Sequence, residues 1–180
     1  PVDETRALGP INPESWAYLE GGKSYQYDLE RALERMLDSP PDVPLTFSLQ
    51  TTNTFAQEAE ALREQWQTFG QQSHDQCQVD DDIEDKNLCT NMLITIDLKI
   101  TTFPDTNKFD TLLIGQEAPA DPDQYYLWHS EQPTNFTKYK NTRIDSLLER
   151  GRQIIEKEER KTIYQEFQQF LLEDAPAVFI

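Results

Sequence analysis

FDTLLIGQEAPADPDQYYLWHS, residues 109–130, decides the reading of this chain. It begins with the apolar run Leu112-Leu113-Ile114. A run without polar alternation suits a central strand covered on both faces. Gly115 ends it and lets the backbone turn sharply. A loop rich in Ala and Pro follows, and Asp121-Pro122 then opens a helix. Asp serves as the N-cap that accepts orphan N–H groups, and Pro takes the first helical position, where no N–H is missed. A buried strand, a loop at its carboxyl end and a capped helix form the ligand-facing corner of an α/β sheet. Such a corner is also an ordinary βα connection, and fold-level analogy alone does not establish function.

Upstream, Pro1 to Gly22 reads as irregular, with Pro10, Pro13, Trp16 and Tyr18. Tyr27 to Leu37 reads as a helix capped by Asp28, with Leu29, Ala32, Leu33, Met36 and Leu37 on one face. Pro40, Pro41 and Pro44 break it. Leu45, Phe47 and Leu49 alternate, which predicts a strand. Thr51-Thr52-Asn53 leads into a second helix, with Thr54 and Gln57 as a capping box. Phe55, Ala59, Leu62, Trp66 and Phe69 form its stripe, and Gly70 is expected to stop it. Trp66 lies on that stripe and reads as core. Gln71 to Asn91, polar and acidic around Asp80-Asp81-Asp82, reads as a surface excursion. Met92, Ile94, Ile96, Leu98 and Ile100 then alternate as a strand.

Downstream, Asn141 caps a helix carrying Ile144, Leu147, Leu148, Ile154 and Ile155. A last helix over about residues 157–173 presents Ile163, Tyr164, Phe167, Phe170 and Leu171, and Pro176 ends it. Alternating strands and helices predict an α/β fold, a mixed, mostly parallel sheet flanked by helices.

The 180 residues suit a single domain spanning 1–180. The chain carries 33 acidic and 16 basic side chains, a formal charge of −17. That balance favours solubility and argues against nucleic acid or an anionic membrane surface as partner. No apolar run is long enough to span a bilayer. The chain starts in mid-theme at Pro1 and stops on Ala177-Val178-Phe179-Ile180, as if within a strand, so we expect a piece of a longer protein.

Cys77 and Cys89 lack metal-ligand spacing and a second pair, so no metal is expected, even with His74 nearby. A disulfide clipping the excursion is the better reading in an oxidising compartment, with two free thiols as the alternative. His129 has no partner pattern and is expected to pack or hydrogen-bond at a helix end. There is no serine elbow, HExxH or P-loop, and nothing selects two of the many carboxylates as a catalytic pair.

Several motifs recur in order: Asp121-Pro122-Asp123, Trp128-His129-Ser130, Tyr139 with Asn141, Ile144-Asp145 with Leu147-Leu148, Glu159-Arg160 with Tyr164, and Glu173-Asp174 with Pro176. Together with GPINPESWAY and YQYDLERALERML near the start, they resemble extracellular solute-binding protein family 5. These are the oligopeptide-, dipeptide- and nickel-binding components of ABC importers. The resemblance implies one lobe, the second, of a two-lobed periplasmic-binding-protein-like fold that holds a peptide or similar small solute between lobes. It implies an extracytoplasmic protein (periplasmic or at the cell surface, with a lipoprotein anchor as one form) that is not an enzyme and needs no cofactor. Its partners would be the solute, the first lobe of the same chain and the permease subunits. The rival readings are an α/β enzyme domain and a stand-alone extracellular interaction module.

By the same resemblance Thr51, Thr52 and Asn53 face the ligand from one loop, and Gly115, Gln116 and Glu117 from another. In the peptide-binding branch the second loop carries an aromatic residue and then an aspartate that pairs with the ligand's α-amino group. Here Gln116 stands where the aromatic is expected, and Glu117 is the closest carboxylate. Trp128 falls between core and ligand platform and is included among the ligand candidates.

Overall fold

The alternating stretches at 45–51 and 94–100 pair with each other in a three-stranded sheet in the computed structural model, which describes residues 8–117 and 119–179. The chain divides into two compact units, one of Tyr27–Gly115 and one of the residues up to Gln26 together with those from Gln116 on.

In the first, α1 (Leu29–Asp38) is followed by β1 (Leu45–Thr51), α2 (Ala56–Val79), β2 (Ile94–Ile100) and β3 (Thr111–Leu113). The strand order is β2-β1-β3 and both pairings are parallel, so the described sheet is parallel rather than mixed. The apolar run at 112–114 was expected to be a central strand; it is a short, half-buried edge strand, and β1 is the central one. Leu45, Phe47 and Leu49 stand opposite Ile94, Ile96 and Leu98, so period-2 patterning puts one apolar set on a single face. Leu49, Ala59 and Ile96 are buried there, and Leu62 and Trp66 of α2 pack against them, with Trp66 against the Phe47 ring at 5.6 Å between centroids. Between these positions β1 places Ser48 and Gln50. The Ser48 N–H and hydroxyl both donate to Asp110 at 2.8 Å, and Gln50 ties the following loop by donating to the Lys108 carbonyl and accepting from Asp105 N–H.

Gly70 does not stop α2. An added Cβ there would lie 2.7 Å from the Ile94 backbone nitrogen, so the residue is small because helix meets strand. The helix runs on through Ser73 and Cys77, both buried, to Val79. The expected excursion is therefore half helix. Its remainder includes a 3-10 segment, Lys86–Met92, and Cys77 and Cys89 are joined by a disulfide. The cysteines, with Met92, form a small buried cluster under Met36, Leu37 and Ile83.

The second unit contains α3 (Tyr125–Trp128), α4 (Thr142–Gln153) and α5 (Lys157–Asp174). Asn141 caps α4, accepting from Arg143 and Ile144 N–H as its position predicts. Ile144, Leu147 and Leu148 of α4 meet Ile163, Tyr164, Phe167 and Leu171 of α5 in one buried cluster. An upstream segment is laced to α5 by side-chain amides. Buried Gln168 donates to the Ala17 and Tyr164 carbonyls and accepts from Leu19 N–H, and Gln165 donates to the Tyr18 carbonyl. Every polar atom of the Gln168 amide thus has a partner, as burial requires. Ala177–Phe179 form no strand, Ile180 and Pro1–Ala7 lie outside the described residues, and no helix among the described residues is long and apolar enough to cross a membrane.

Candidate functional site

Parallel strands end at the same edge of a sheet, so the loops after β1 and β3 emerge side by side. Thr51 lies opposite Leu113 in the register, and its buried hydroxyl donates to the Leu113 carbonyl at 2.9 Å. Thr51 thereby staples the two strand ends; its side chain is spent on the fold. Thr52 is half-buried and Asn53 exposed, at the start of a 3-10 turn, Asn53–Phe55, that runs directly into α2. No side-chain oxygen caps either the turn or the helix, so the expected capping box of Thr54 and Gln57 is not formed. The N-terminus of a 24-residue helix thus opens at the carboxyl edge of the sheet with its first N–H groups not claimed by any side chain. Gly115 sits against the Phe55 ring: a Cβ there would come 2.7 Å from Cζ. The glycine is thus needed for close approach between the loop after β3 and the start of α2.

Gln116 and Glu117 belong to the other unit. Gln116 is exposed, and its amide donates to buried Gln124 at 3.1 Å, which fixes its direction. Glu117 is exposed. Asp121 is not an N-cap. Its two oxygens take Arg160 Nη1 and Nη2 at 2.8 and 2.7 Å, a bidentate pair, while Arg160 Nε donates to the Gly151 carbonyl. The Arg160 guanidinium holds the Asp121 carboxyl below the usual aspartate range, against a smaller opposing push from burial. Asp123 accepts from Tyr125 N–H and pairs with Arg152 at 3.2 Å, and that guanidinium lies over the Tyr125 and Tyr126 rings. The helix expected from Asp121 shrinks to the single turn of α3, capped by Gln124 without a side-chain bond.

Trp128 is 5% exposed and stands in the α4–α5 core, with the Phe179 ring 6.2 Å away. Its indole N–H finds no acceptor among the described residues. His129, the helix-end residue, is buried as expected: Nδ1 accepts from Glu131 N–H and Nε2 donates to Glu149 at 3.3 Å, with the ring over Tyr125 at 4.3 Å. Its roles are structural. A further polar group, unread in the sequence, joins helix ends: the Tyr139 hydroxyl donates to Asp174, and the Asn141 amide reaches both. Burial and the Asp174 carboxylate raise the Tyr139 phenol to about 12. Tyr139, Asn141 and Asp174 all stand among the ordered motifs; their meeting across 35 residues is what no local pattern signals.

The fold is shared with solved binding proteins of ABC transporters. No protein-family model matches the chain. A stretch of 75 residues, 40% of this chain and 14% of that protein, is 31% identical to the oligopeptide-binding protein AppA of Bacillus subtilis (strain 168). The structure of the Bacillus subtilis AppA in complex with a nonapeptide superposes with a TM-score of 0.66 at 20% identity, over 97% of this chain and 36% of that one. The ABC transporter-associated periplasmic binding protein DppA from Helicobacter pylori, in complex with the peptide STSA, gives 0.71 at 21% identity over 97% and 32%. NikZ from Campylobacter jejuni, in complex with Ni(L-His), gives 0.72 at 22% over 97% and 36%. The chain therefore spans about a third of the length of these structures, and the likeness to them is one of fold. Sequence and fold agree with the resemblance read from the ordered motifs.

Proposed function

We propose that this chain is a lobe of the substrate-binding component of an ABC importer, in which a peptide or similar small solute is bound and delivered to the permease, without catalysis. The observation that carries the reading is the carboxyl edge of the sheet. There Thr52 and Asn53 lead into an open helix N-terminus, beside the close approach of Gly115 to Phe55. Backbone N–H groups and a small polar side chain at such an edge can bind a peptide backbone or a carboxylate without reading side chains. The remaining wall of the site would come from the rest of a longer chain. Export to an extracytoplasmic compartment fits the buried disulfide.

Within this reading Glu117 is the partner of a ligand amine. It is exposed, and it follows Gln116, whose amide is fixed by Gln124. The test uses the full-length receptor and the solute that co-purifies with it, identified by mass spectrometry. For an amine-bearing solute, Glu117→Gln should weaken binding by about 2–5 kcal/mol at fixed salt. Agreement of the two dissociation constants within roughly threefold would remove Glu117 from the site.

A further inference from the structure

We propose that the disulfide-clipped end of α2 forms a docking groove for a basic, amphipathic segment of a partner polypeptide. A cleft of about 420 Å3 lies there, away from the carboxyl edge of the sheet in sequence and in role. Leu37, Cys77 and Met92 line it as apolar groups, Leu88 lines it while 40% exposed, and Asp82, Glu84 and Asp85 supply its charge. Val79, the last residue of α2, is 72% exposed. The cysteines are fully buried and bonded, which fixes the groove's floor covalently.

The rim sets the sign of the partner. Residues 80–86, DDDIEDK, carry five carboxylates and one ammonium. That ammonium is turned inward: Lys86 Nζ donates to the Cys77 carbonyl at 3.1 Å and to the Asp80 carbonyl, at the C-terminal end of α2 where a cation is favoured. The outward carboxylates therefore keep their field. Among the described residues no group of three or more His, Cys, Asp or Glu gathers to hold a metal ion, so the acids do not form a chelate. Anionic lipid and nucleic acid are repelled by such a rim. Basic side chains spaced along a segment, with an apolar side chain between them to enter the cleft, satisfy both the charge and the floor.

The probe is a fluorescent amphipathic lysine–leucine peptide, titrated into the full chain by anisotropy, with a glutamate–leucine peptide as control. Neutralising the rim in the triple variant Asp81→Asn, Asp82→Asn, Glu84→Gln should weaken the lysine peptide by roughly tenfold or more. These three side chains leave Lys86 and the Asp85 cap of the 3-10 segment in place. Neutralising three exposed acids outside the cleft's lining, Glu20, Glu131 and Glu158, should change it less than about twofold. Leu88→Gln should weaken it by roughly fivefold or more. In the unsubstituted chain, amide shifts on binding should gather at Leu37, Ile83, Leu88 and Met92, a readout that needs no variant to fold. Equal losses from both triple variants, equal binding of the glutamate peptide, or amide shifts spread over the acidic surface would each overturn the groove in favour of general charge attraction.

Discussion

The two units hold themselves together by different means. The helical unit gathers Trp128, Ile144, Leu148, Tyr164, Phe167 and others into one continuous cluster in which large side chains are fully buried. The sheet unit splits its interior. One buried apolar cluster, Leu49, Ala59 and Ile96, lies between sheet and α2, and another, Met92 with the two bonded cysteines, lies at the far end of α2. A continuous core loses contacts at many places at once when it opens. A divided one can open at one end, and there the covalent bond stands. The difference teaches that the disulfide is a local staple for a helix that outruns its sheet, rather than a support for the ligand-facing edge.

The largest effect that sharpens this comparison follows from removing the staple. Cys77 and Cys89 are 12 residues apart, a loop whose closure is worth on the order of 3 kcal/mol in the chain-entropy model. The double variant Cys77→Ser, Cys89→Ser should lose about that much in denaturant unfolding. Hydrogen exchange should rise first at residues 73–92, with α4 and α5 unaffected. Uniform loss of protection through both units would break the contrast.

A smaller effect concerns acid. Asp121 in the helical unit titrates below the ordinary aspartate value, held there chiefly by Arg160. Its contribution to stability is then fully present above the unfolded value of about 3.9 and is lost as pH falls through the lower folded value. The Asp121 side chain is 55% exposed, so the pair is worth no more than about 1 kcal/mol. Melting curves should show the unsubstituted chain losing its advantage over Asp121→Asn as pH drops from about 5 to below 3. A constant gap across that range would contradict the assignment.

Much of the fold is legible in short-range pattern. The alternation at 45–49 and 94–100, the stripes of α4 and α5 and the Asn141 cap need only neighbours three or four residues away. What fails to show is what depends on distant atoms. Gly70 reads as a stop because glycine commonly ends helices, yet the Ile94 backbone is its reason. Beyond Trp66 the stripe continues at 70, 73 and 77 with helical spacing, but Gly, Ser and Cys are small residues, so apolar periodicity passes over them. Asp121 before Pro reads as a cap, and Arg160, 39 residues on, claims it instead. Strand order is equally non-local, which is why an apolar run could sit at the edge of a sheet. At the candidate site the loop after β1 was readable, but the commitment of the Thr51 hydroxyl to Leu113 and the burial of Trp128 were not.

The central claim is that the solute is held at the carboxyl edge of the sheet by the open start of α2. Hydrogen exchange of the full-length receptor, with and without its co-purified solute, reads those N–H groups directly. Protection should increase at residues 52–57, including the amides of Asn53 and Ala56, while residues 80–92 remain unchanged. Unaltered exchange at 52–57 in a receptor saturated with its solute would contradict the account.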